Sequence, residues 1–395
     1  MTEDFLKYQA QTTPHPLKMV VKKAVGSYIY DQDNRPHLDF VAGVSACSLG
    51  HSHPSVVNAI KEQVDRYMHV MVYGEYALKP AVDYSKLLTE QLPASLNCTY
   101  LVNSGTEAIE GALKLARRVS GRSQIIAAKS AYHGNTMGSL SLMGKKENRK
   151  PFEPLIGDVD FIAFNSEEDI SKINEQTACV ILETIQGGAG FILPKEMYLT
   201  KVKKRCQEVG ALLILDEIQP GFGRTGSLFA FEQFNCVPDI LVIGKGMCSG
   251  LPAGAFISSY EHMQLLADDP KLGHITTFGG NPVIAAAALA TLKELITGQK
   301  RLIKETLIKE QLLREQLQHP LITSIRGRGL MLALMFENED IANYLILKAA
   351  DQQLILFWLL FEKKAARITP PLTISEEEII QGCSIINSIL DTYPG

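Results

Sequence analysis

The chain has 395 residues, more than one ordinary domain needs. Hydrophobic residues form 46% of it and charged residues 21%, which excludes a disordered chain and supplies enough apolar side chains for a core. The net charge of −4, from 39 basic and 43 acidic residues, excludes a chain-wide basic surface for nucleic acid and leaves a local basic patch open.

Three features of the sequence are typical of a cytoplasmic protein: the N-terminus, the short apolar runs and the scattered cysteines. The first 16 residues include acidic side chains and no apolar stretch, unlike a secretory signal. The longest apolar run, Leu354–Phe361, is far shorter than the ~20 residues that cross a bilayer. The 7 cysteines are scattered without a CxxC pair, which favours reduced thiols over disulfides or a zinc site. We therefore expect a cytoplasmic protein with no metal and with neither nucleic acid nor membrane as a partner.

The first predicted element is a hairpin over residues 19–40, with two strand-like runs around the turn Asp31–Pro36. Six further short apolar runs read as strands: Thr99–Val102, Gln124–Ala128, Cys179–Leu182, Ala211–Leu215, Ile240–Ile243 and Ala255–Ser258. Several are uninterrupted aliphatic runs, typical of strands buried on both faces of a mostly parallel sheet. Amphipathic helices are predicted over Thr106–Val119 and Lys195–Val209.

This βαβ alternation predicts an α/β protein with a three-layer large domain over residues 55–290. After it come a charged amphipathic helix, Arg301–Gln318, and strands near Leu330–Phe336 and Arg367–Ile368. We expect residues 1–54 and 291–395 to form a smaller α+β domain from both chain ends. A functional site in the crevice between the two domains is the default expectation.

Three motifs carry possible chemistry. Asn103–Glu107 follows a strand and opens a helix, so its hydroxyls and free N–H groups are either an anion cradle or a simple helix cap. Asp216 ends a buried strand, where it would face a ligand crevice or cap a helix. Lys245 lies between Gly244 and Gly246 directly after a strand, and is either a nucleophilic amine with a lowered pKa or a surface turn lysine.

Other patterns are weaker. Gly221–Gly226 matches GxGxxG, but it is separated from its strand and leads into no clear helix, so we read it as a glycine-rich loop. His51 and His53 lack further metal ligands nearby and are interpreted as a turn and helix start. Tyr132 would either stack on a flat ring or belong to the core. His133 would either pack in the interior or lie in a turn.

In combination, the first three motifs supply what pyridoxal 5′-phosphate needs. The lysine forms a Schiff base, the acid keeps the pyridine nitrogen protonated, and the cradle anchors the phosphate. At this point the sequence resembles the class III pyridoxal-phosphate aminotransferases of the ornithine, acetylornithine and 4-aminobutyrate type. The resemblance covers essentially the whole chain and is carried by ordered segments: Leu49–Pro54, Asn103–Ala108, Tyr132–Gly134, Asp216–Gln219, Gly221–Gly226, Gly244–Gly246, Thr277–Pro282 and Arg367–Leu372.

The resemblance implies fold-type I, a homodimer with shared sites, and ping-pong transfer of a terminal amino group to 2-oxoglutarate. It also implies roles, with Lys245 as the Schiff-base lysine and proton shuttle and Asp216 beside the pyridine nitrogen. Cofactor contacts would further come from Ser104, Gly105, Thr106, Tyr132, His133 and Gln219, and from Thr277 toward the neighbouring subunit's phosphate. Arg367 would clamp the α-carboxylate of 2-oxoglutarate or glutamate, with Glu183 and Asn135 as further substrate-side residues.

Three positions depart from the family pattern and leave the donor open. Asn135 stands where acetylornithine enzymes usually carry an arginine, and Val44 where ornithine enzymes use a tyrosine. Gly188 replaces a glutamate that pairs with the carboxylate-binding arginine in ornithine-type members, so Arg367 would be constantly available or screened by another group. The apolar run Leu354–Phe361 is interpreted as core of the smaller domain, with a greasy pocket wall as the alternative.

The leading hypothesis is an aminotransferase for an acetylornithine- or ornithine-like ω-amino donor. The alternatives are a 4-aminobutyrate or other ω-amino acid transaminase, a mutase or racemase, and, more remotely, an NAD-dependent oxidoreductase using Gly221–Gly226. The Arg367 carboxylate clamp argues against the mutase. Lys245, Asp216 and Gln219 together argue against a non-catalytic binding protein.

Overall fold

The computed structural model describes residues 1–71 and 74–394, except for the side chain of residue 299. In chain order its strands are β1 (Val21–Val25), β2 (Tyr28–Asp31), β3 (Pro36–Asp39), β4 (Cys98–Val102), β5 (Gln124–Ala128), β6 (Val159–Ile162), β7 (Thr177–Glu183), β8 (Leu212–Asp216), β9 (Ile240–Gly244), β10 (Gly254–Ser258), β11 (Ser324–Arg328), β12 (Met331–Met335), β13 (Leu354–Ile355), β14 (Phe357–Trp358) and β15 (Ala365–Ile368).

The α-helices are α1 (Thr2–Tyr8), α2 (Ala42–Ser45), α3 (Pro54–Arg66), α4 (Lys79–Thr89), α5 (Gly105–Ser120), α6 (Met137–Ser141), α7 (Lys146–Arg149), α8 (Tyr198–Val209), α9 (Tyr260–Gln264), α10 (Pro282–Gln316), α11 (Glu339–Asp351) and α12 (Glu376–Asp391). Short 3₁₀ helices cover Lys150–Phe152, Glu168–Lys172, Ala230–Phe234 and Lys245–Cys248. Within the described ranges, the structure contains no helix with the length and hydropathy that crossing a bilayer requires.

The central feature is a seven-stranded sheet in the order β4-β10-β9-β8-β7-β5-β6. Strands β9, β8, β7, β5 and β6 run parallel, whereas β10 is antiparallel to both of its neighbours. All six strands predicted for this region are confirmed. The sequence analysis missed β6, an edge strand whose side chains are mostly half-buried or exposed and therefore form no continuous apolar run.

Alternating side chains place the two faces of this sheet in different apolar clusters. On β5, Ile125 and Ala127 face the cluster that contains α5, while Ile126 and Ala128 belong to the cluster that contains α8. The strands β7 to β10 are fully buried because helices cover both faces. The predicted α/β class with three layers and a mostly parallel sheet is confirmed.

The chain ends build two four-stranded sheets. Strands β1, β2 and β3 form an antiparallel meander, and β13 joins it in parallel beside β3, so the N- and C-terminal regions share a sheet. The predicted turn at Asp31–Pro36 is confirmed. The prediction of two strands in residues 19–40 was wrong, because the structure forms three, β1, β2 and β3. The missed tight turn is at Gly26, whose φ of 59° suits glycine. Strands β11, β12, β15 and β14 form the other sheet.

Helix α10 is longer than predicted. It begins at Pro282, where the Asn281 side chain accepts hydrogen bonds from the N–H groups of Val283 and Ile284, and it packs against α3, α4 and α12. Gly298 and Lys300 have positive φ inside it. This local break explains why the amphipathic pattern starts anew at Arg301.

Candidate active site

A cavity of about 620 Å³ opens at the carboxyl ends of the parallel strands. Strands β7 and β8 end in Glu183 and Asp216, and β9 is followed at once by Lys245. All three side chains line the cavity, as expected for a ligand site at this edge of an open α/β sheet. The small sheet β11-β12-β15-β14 completes the wall through Arg367 and the segment 357–360.

Lys245 has a backbone that a non-glycine residue rarely adopts. Its φ is 41°, and the preceding Gly244 has ψ of −148° in a sharp transition from β9 into a 3₁₀ turn. Desolvation inside the protein lowers the pKa of its amine, an effect that the nearby Asp216 carboxylate partly opposes. A lowered pKa increases the fraction of neutral amine, which is the nucleophilic form.

Asp216 is held in place by its neighbours. One carboxylate oxygen accepts a hydrogen bond from the N–H of Ile218 at 2.9 Å, and the other lies 2.7 Å from Nδ1 of His133. Both side chains are almost fully buried, and Nε2 of His133 has no hydrogen-bond partner in the structure. The pair therefore presents a rigid carboxylate to the cavity.

The start of α5 forms another wall. The Ser104 hydroxyl caps the helix by accepting from the N–H of Glu107 at 3.3 Å, while Gly105 and Thr106 line the cavity. The first N–H groups of a helix lack carbonyl partners within it, so this end attracts an anion. Hydroxyls of Thr136 and Ser139 lie 2.8 and 2.6 Å from that of Thr106.

Glu183 is a buried carboxylate that serves the loop around it. Its oxygens accept from the N–H of Tyr132 at 2.8 Å and from the N–H of Gly187 at 2.5 Å. Burial raises the pKa of Glu183 to about 7, despite these two hydrogen bonds and the influence of His133. The group shapes the cavity by positioning Tyr132, whose pKa is also raised by burial.

Arg367 offers an unpaired cation. Its side chain is 6% exposed, and Nε and Nη1 have no hydrogen-bond partner among the residues that the structure describes. The guanidinium carbon lies 5.7 Å from the centre of the Phe191 ring, and burial lowers the pKa of Arg367 to about 10. A buried guanidinium in apolar surroundings strongly favours an incoming anion.

Most of the predicted site residues come together in this cavity. Gln219 lines it, with Nε2 at 3.4 Å from the Ser45 hydroxyl, and Asn135 lies at its exposed end, donating to the Tyr132 hydroxyl at 3.1 Å. The structure does not place Ser104 or Thr277 among the lining residues. Ser104 lies behind Gly105 as the helix cap, and Thr277 is exposed on the surface.

Sequence reasoning missed part of the apolar wall. Leu354 and Leu356 belong to the core, as we expected for the run Leu354–Phe361, but the following residues also line the cavity: Phe357, Trp358, Leu359 and Leu360. Both interpretations of this run are therefore partly right. Ile185 and Ile218 also line the cavity, and isolated isoleucines carry no signal that separates them from core residues.

The weaker motifs have structural explanations. The GxGxxG segment opens no α-helix, and only the short 3₁₀ helix Ala230–Phe234 follows it. Its Arg224 is fully buried and donates to the carbonyls of Leu330 and Pro370 in the C-terminal region. This is a structural loop and not a dinucleotide-binding turn. The turn-and-helix interpretation of the histidines is confirmed, because α3 begins at Pro54, directly after His53, and Nε2 of His51 lies 2.7 Å from an Asp39 carboxylate oxygen.

The cavity thus joins a desolvated lysine, a buried carboxylate, a helix start suited to an anion and a free guanidinium, which together define an enzyme site. Comparison with known proteins identifies the family. The chain matches the model of the class III aminotransferases over residues 8–390, and it belongs to that family. It is therefore a transaminase, and its fold is fold-type I.

Individual relatives agree with this assignment. An acetylornithine aminotransferase from Methanopyrus kandleri is 37% identical over 355 residues, which cover 90% of each chain. A putrescine aminotransferase from Pectobacterium atrosepticum is 36% identical, covering 95% of this chain and 83% of the relative. The solved structure of an ornithine aminotransferase from Toxoplasma gondii, which has PLP at partial occupancy in its active site, superposes with a TM-score of 0.89 at 28% identity, covering 99% of this chain and 94% of that one.

Proposed function

We propose that the enzyme transfers the terminal amino group of an ω-amino donor of the acetylornithine or ornithine type to 2-oxoglutarate, with pyridoxal 5′-phosphate as its cofactor. The observation that carries the proposal is the shared cavity of Lys245, Asp216, the α5 N-terminus and Arg367. Class III aminotransferases depend on this cofactor and move nitrogen from an amino donor to an oxo acid. Donor and acceptor would occupy the one cavity in turn, which is ping-pong order.

The residues present fit the cofactor at three points. The free N–H groups of Gly105 and Thr106 at the start of α5 suit its phosphate. The carboxylate of Asp216 would hold a proton on the ring nitrogen, oriented by His133 on its other side. Tyr132 and Gln219 lie where they would contact the ring. When bound, the cofactor supplies an electron-accepting ring that stabilises negative charge on the substrate carbon.

Lys245 would perform the proton transfer. Its desolvated amine is more easily neutral than an ordinary lysine, so Nζ can accept a proton from the substrate carbon and return it. Burial lowers the pKa of this amine most, Arg367 lowers it further, and the carboxylates of Asp216 and Glu183 oppose both effects. The apolar wall keeps water from competing for that proton.

Arg367 would bind the α-carboxylate of glutamate or 2-oxoglutarate. No carboxylate of the described residues forms a hydrogen bond or an ion pair with its guanidinium, which supports a constantly available clamp. A fork of two N–H donors matches a carboxylate. The second carboxylate of the acceptor would lie near Asn135 at the exposed end, where it keeps part of its hydration.

The proposal includes a homodimer and two domains. The exposed Thr277 would reach the cofactor phosphate of the neighbouring subunit. The large domain would span residues 55–290, and residues 1–54 with 291–395 would form the smaller one. Residue 290 lies inside α10, so that helix would link the two domains. The cavity then receives Arg367 from the smaller domain and Lys245 from the larger.

A single spectroscopic cycle tests the proposed function. The purified protein should be yellow, glutamate should bleach the colour, and 2-oxoglutarate added after removal of glutamate should restore it. An acetylornithine-bleached sample should also recover with 2-oxoglutarate. Protein that stays colourless after incubation with the cofactor, or that keeps its colour with glutamate, would contradict the proposal.

A further inference from the structure

Residues 357–361, which we call the apolar strap, form part of the cavity wall through their first four members and are anchored at both ends. Its first residues form β14, where Phe357 pairs with Arg367 and Trp358 with Ala366. Its last residue, Phe361, donates its N–H to the carbonyl of Gly188 at 2.9 Å. The indole N–H of Trp358 also donates to the Asn343 side chain at 2.7 Å. The strap is therefore a fixed wall, and its one indole donor is already used.

Gly188 and the strap are packed against each other. A Cβ atom at position 188 would lie 3.0 Å from Cδ2 of Phe361 and 3.6 Å from Cβ of Leu360. A longer side chain would have to displace that ring, so the strap takes the space that a side chain at 188 would use. The wall at this point is hydrocarbon and carries no carboxylate.

The charged side chains around the cavity bear on which donor substrates it can accept. Among the described lining residues, the lysine, arginine, histidine and carboxylate side chains are Lys245, Arg367, His133, Asp216 and Glu183. Both oxygens of each carboxylate already accept hydrogen bonds, those of Asp216 from His133 and Ile218 and those of Glu183 from Tyr132 and Gly187. These carboxylates belong to the ends of β7 and β8, and the strap itself carries none, so a second substrate ammonium beside the strap would meet apolar side chains.

We infer that the donor is an ω-amino carboxylate whose remaining chain is uncharged, and that the apolar strap excludes a free α-ammonium group. This inference rests on the proposed function and narrows its donor. A second carboxylate, as in 2-oxoglutarate, is tolerated because it would lie at the exposed end near Asn135, where it keeps part of its hydration. A second ammonium is repelled by Arg367 and loses its hydration against Phe357, Leu359 and Leu360.

A matched set of donors tests the inference on the holoenzyme. 5-Aminopentanoate and ornithine share one chain and one carboxylate and differ only in the α-ammonium, and Nα-acetylornithine removes that charge again. The measured quantity is kcat/KM for bleaching, with the ω-aldehyde identified as the product. We expect it to be about tenfold or more higher for 5-aminopentanoate than for ornithine. For Nα-acetylornithine we expect it to rise again above the ornithine value.

A control reaction with glutamate distinguishes failure of the proposed function from failure of the inference about the donor. An enzyme that does not bleach with glutamate contradicts the proposed function itself. If glutamate bleaches the enzyme but ornithine equals or exceeds 5-aminopentanoate in ω-aldehyde formation, the inference alone is overturned. The same holds if neither compound reacts while glutamate does.

Two variants of one strap residue test its part in the selection. Leu360 is 51% exposed and lines the cavity, so polar substitutions there leave the core intact. Leu360→Glu adds a carboxylate for the α-ammonium, and Leu360→Gln adds the same shape without charge. We expect the ornithine to 5-aminopentanoate ratio of kcat/KM to rise about fivefold in the first variant only. Equal ratios in the two variants would overturn the role of Leu360.

Discussion

At the scale of single residues, Lys245 is defined by its surroundings more than by its own chemistry. The positive φ of 41° and the two flanking glycines turn its side chain away from solvent and into the cavity, where desolvation lowers its pKa. A lysine on the surface would keep the charge that blocks nucleophilic attack.

The first prediction concerns this amine. Lys245→Ala should lower transamination turnover by about 10³-fold or more because both the nucleophile and the proton carrier are removed. Lys245→Arg keeps a cation but no amine that can lose a proton, and it should be equally inactive. Steady-state assays with circular dichroism as the folding control check this. Near wild-type turnover in either variant would show that another group performs the chemistry.

Glu183 provides a pH-dependent test at the same scale. Its folded-state pKa of about 7 exceeds the ordinary 4.5, so between these values the folded protein binds a proton that the unfolded chain has lost. The resulting stabilisation is complete below pH 4.5 and is lost as pH rises toward 7. Over that window the loss is about 3 kcal/mol.

Glu183→Gln removes this titration. We expect the free energy of unfolding of the variant, relative to the wild type, to improve by up to about 3 kcal/mol between pH 4.5 and 8. Glu217, whose pKa is also raised to about 7 by burial, is present in both proteins and cancels in the difference. Urea denaturation of both proteins at several pH values measures it. A difference that does not change with pH would contradict the raised pKa.

At the scale of elements, the cofactor end of the cavity depends on how the loop 131–136 sits on α5. Gly134 has φ of 130°, and a Cβ atom there would collide with the Thr106 side chain. Because Thr106 also contacts Thr136 and Ser139, the loop and the helix start form one hydrogen-bonded unit. A residue larger than glycine at 134 would push that unit apart.

Gly134→Ala should therefore cost about 2 kcal/mol of stability and weaken cofactor binding. Gly157→Ala is the matched control, because a Cβ atom at position 157 meets nothing within 4 Å. Thermal unfolding and absorbance titration with pyridoxal 5′-phosphate compare the two variants. If Gly134→Ala behaves like Gly157→Ala, the loop is not positioned by this contact.

At the scale of the whole molecule, two segments expose apolar side chains together. Met68, Val70 and Met71 lie on one segment, and Ile275 and Phe278 on the other. The segments meet where the His69 and Phe278 rings lie 5.0 Å apart. Clustered exposed apolar side chains are typical of a protein interface, and the neighbouring Thr277 agrees with a shared site in a dimer.

Phe278, at 56% exposure, is the residue with which to test this surface. If this surface forms the proposed homodimer, Phe278→Glu should convert the dimer to a monomer and lower cofactor affinity at the same time, because the proposed contact of Thr277 with the partner's phosphate would be lost. Ile308→Glu, at 60% exposure on α10, is the control and should change neither. Light scattering after size-exclusion chromatography and cofactor titration report the two effects. A dimeric Phe278→Glu protein would place the interface elsewhere.

The sequence predicted most of the sheet because buried parallel strands are uninterrupted aliphatic runs that leave a strong local signal. It missed β6 and the turn at Gly26, where half-buried or exposed strands have a weaker pattern. The residues Asp216 and Lys245 were found for the same reason, since each follows such a run directly.

The sequence by itself thus determined the fold class, the order of the strands along the chain and the polar residues at their carboxyl ends, because these depend on local patterns. Only the tertiary structure decided that Arg367 is unpaired, that Phe361 fills the space beside Gly188, and that half of an apolar run is core while the other half lines the cavity. Those outcomes depend on distances between segments far apart in the chain, and no local pattern encodes such distances.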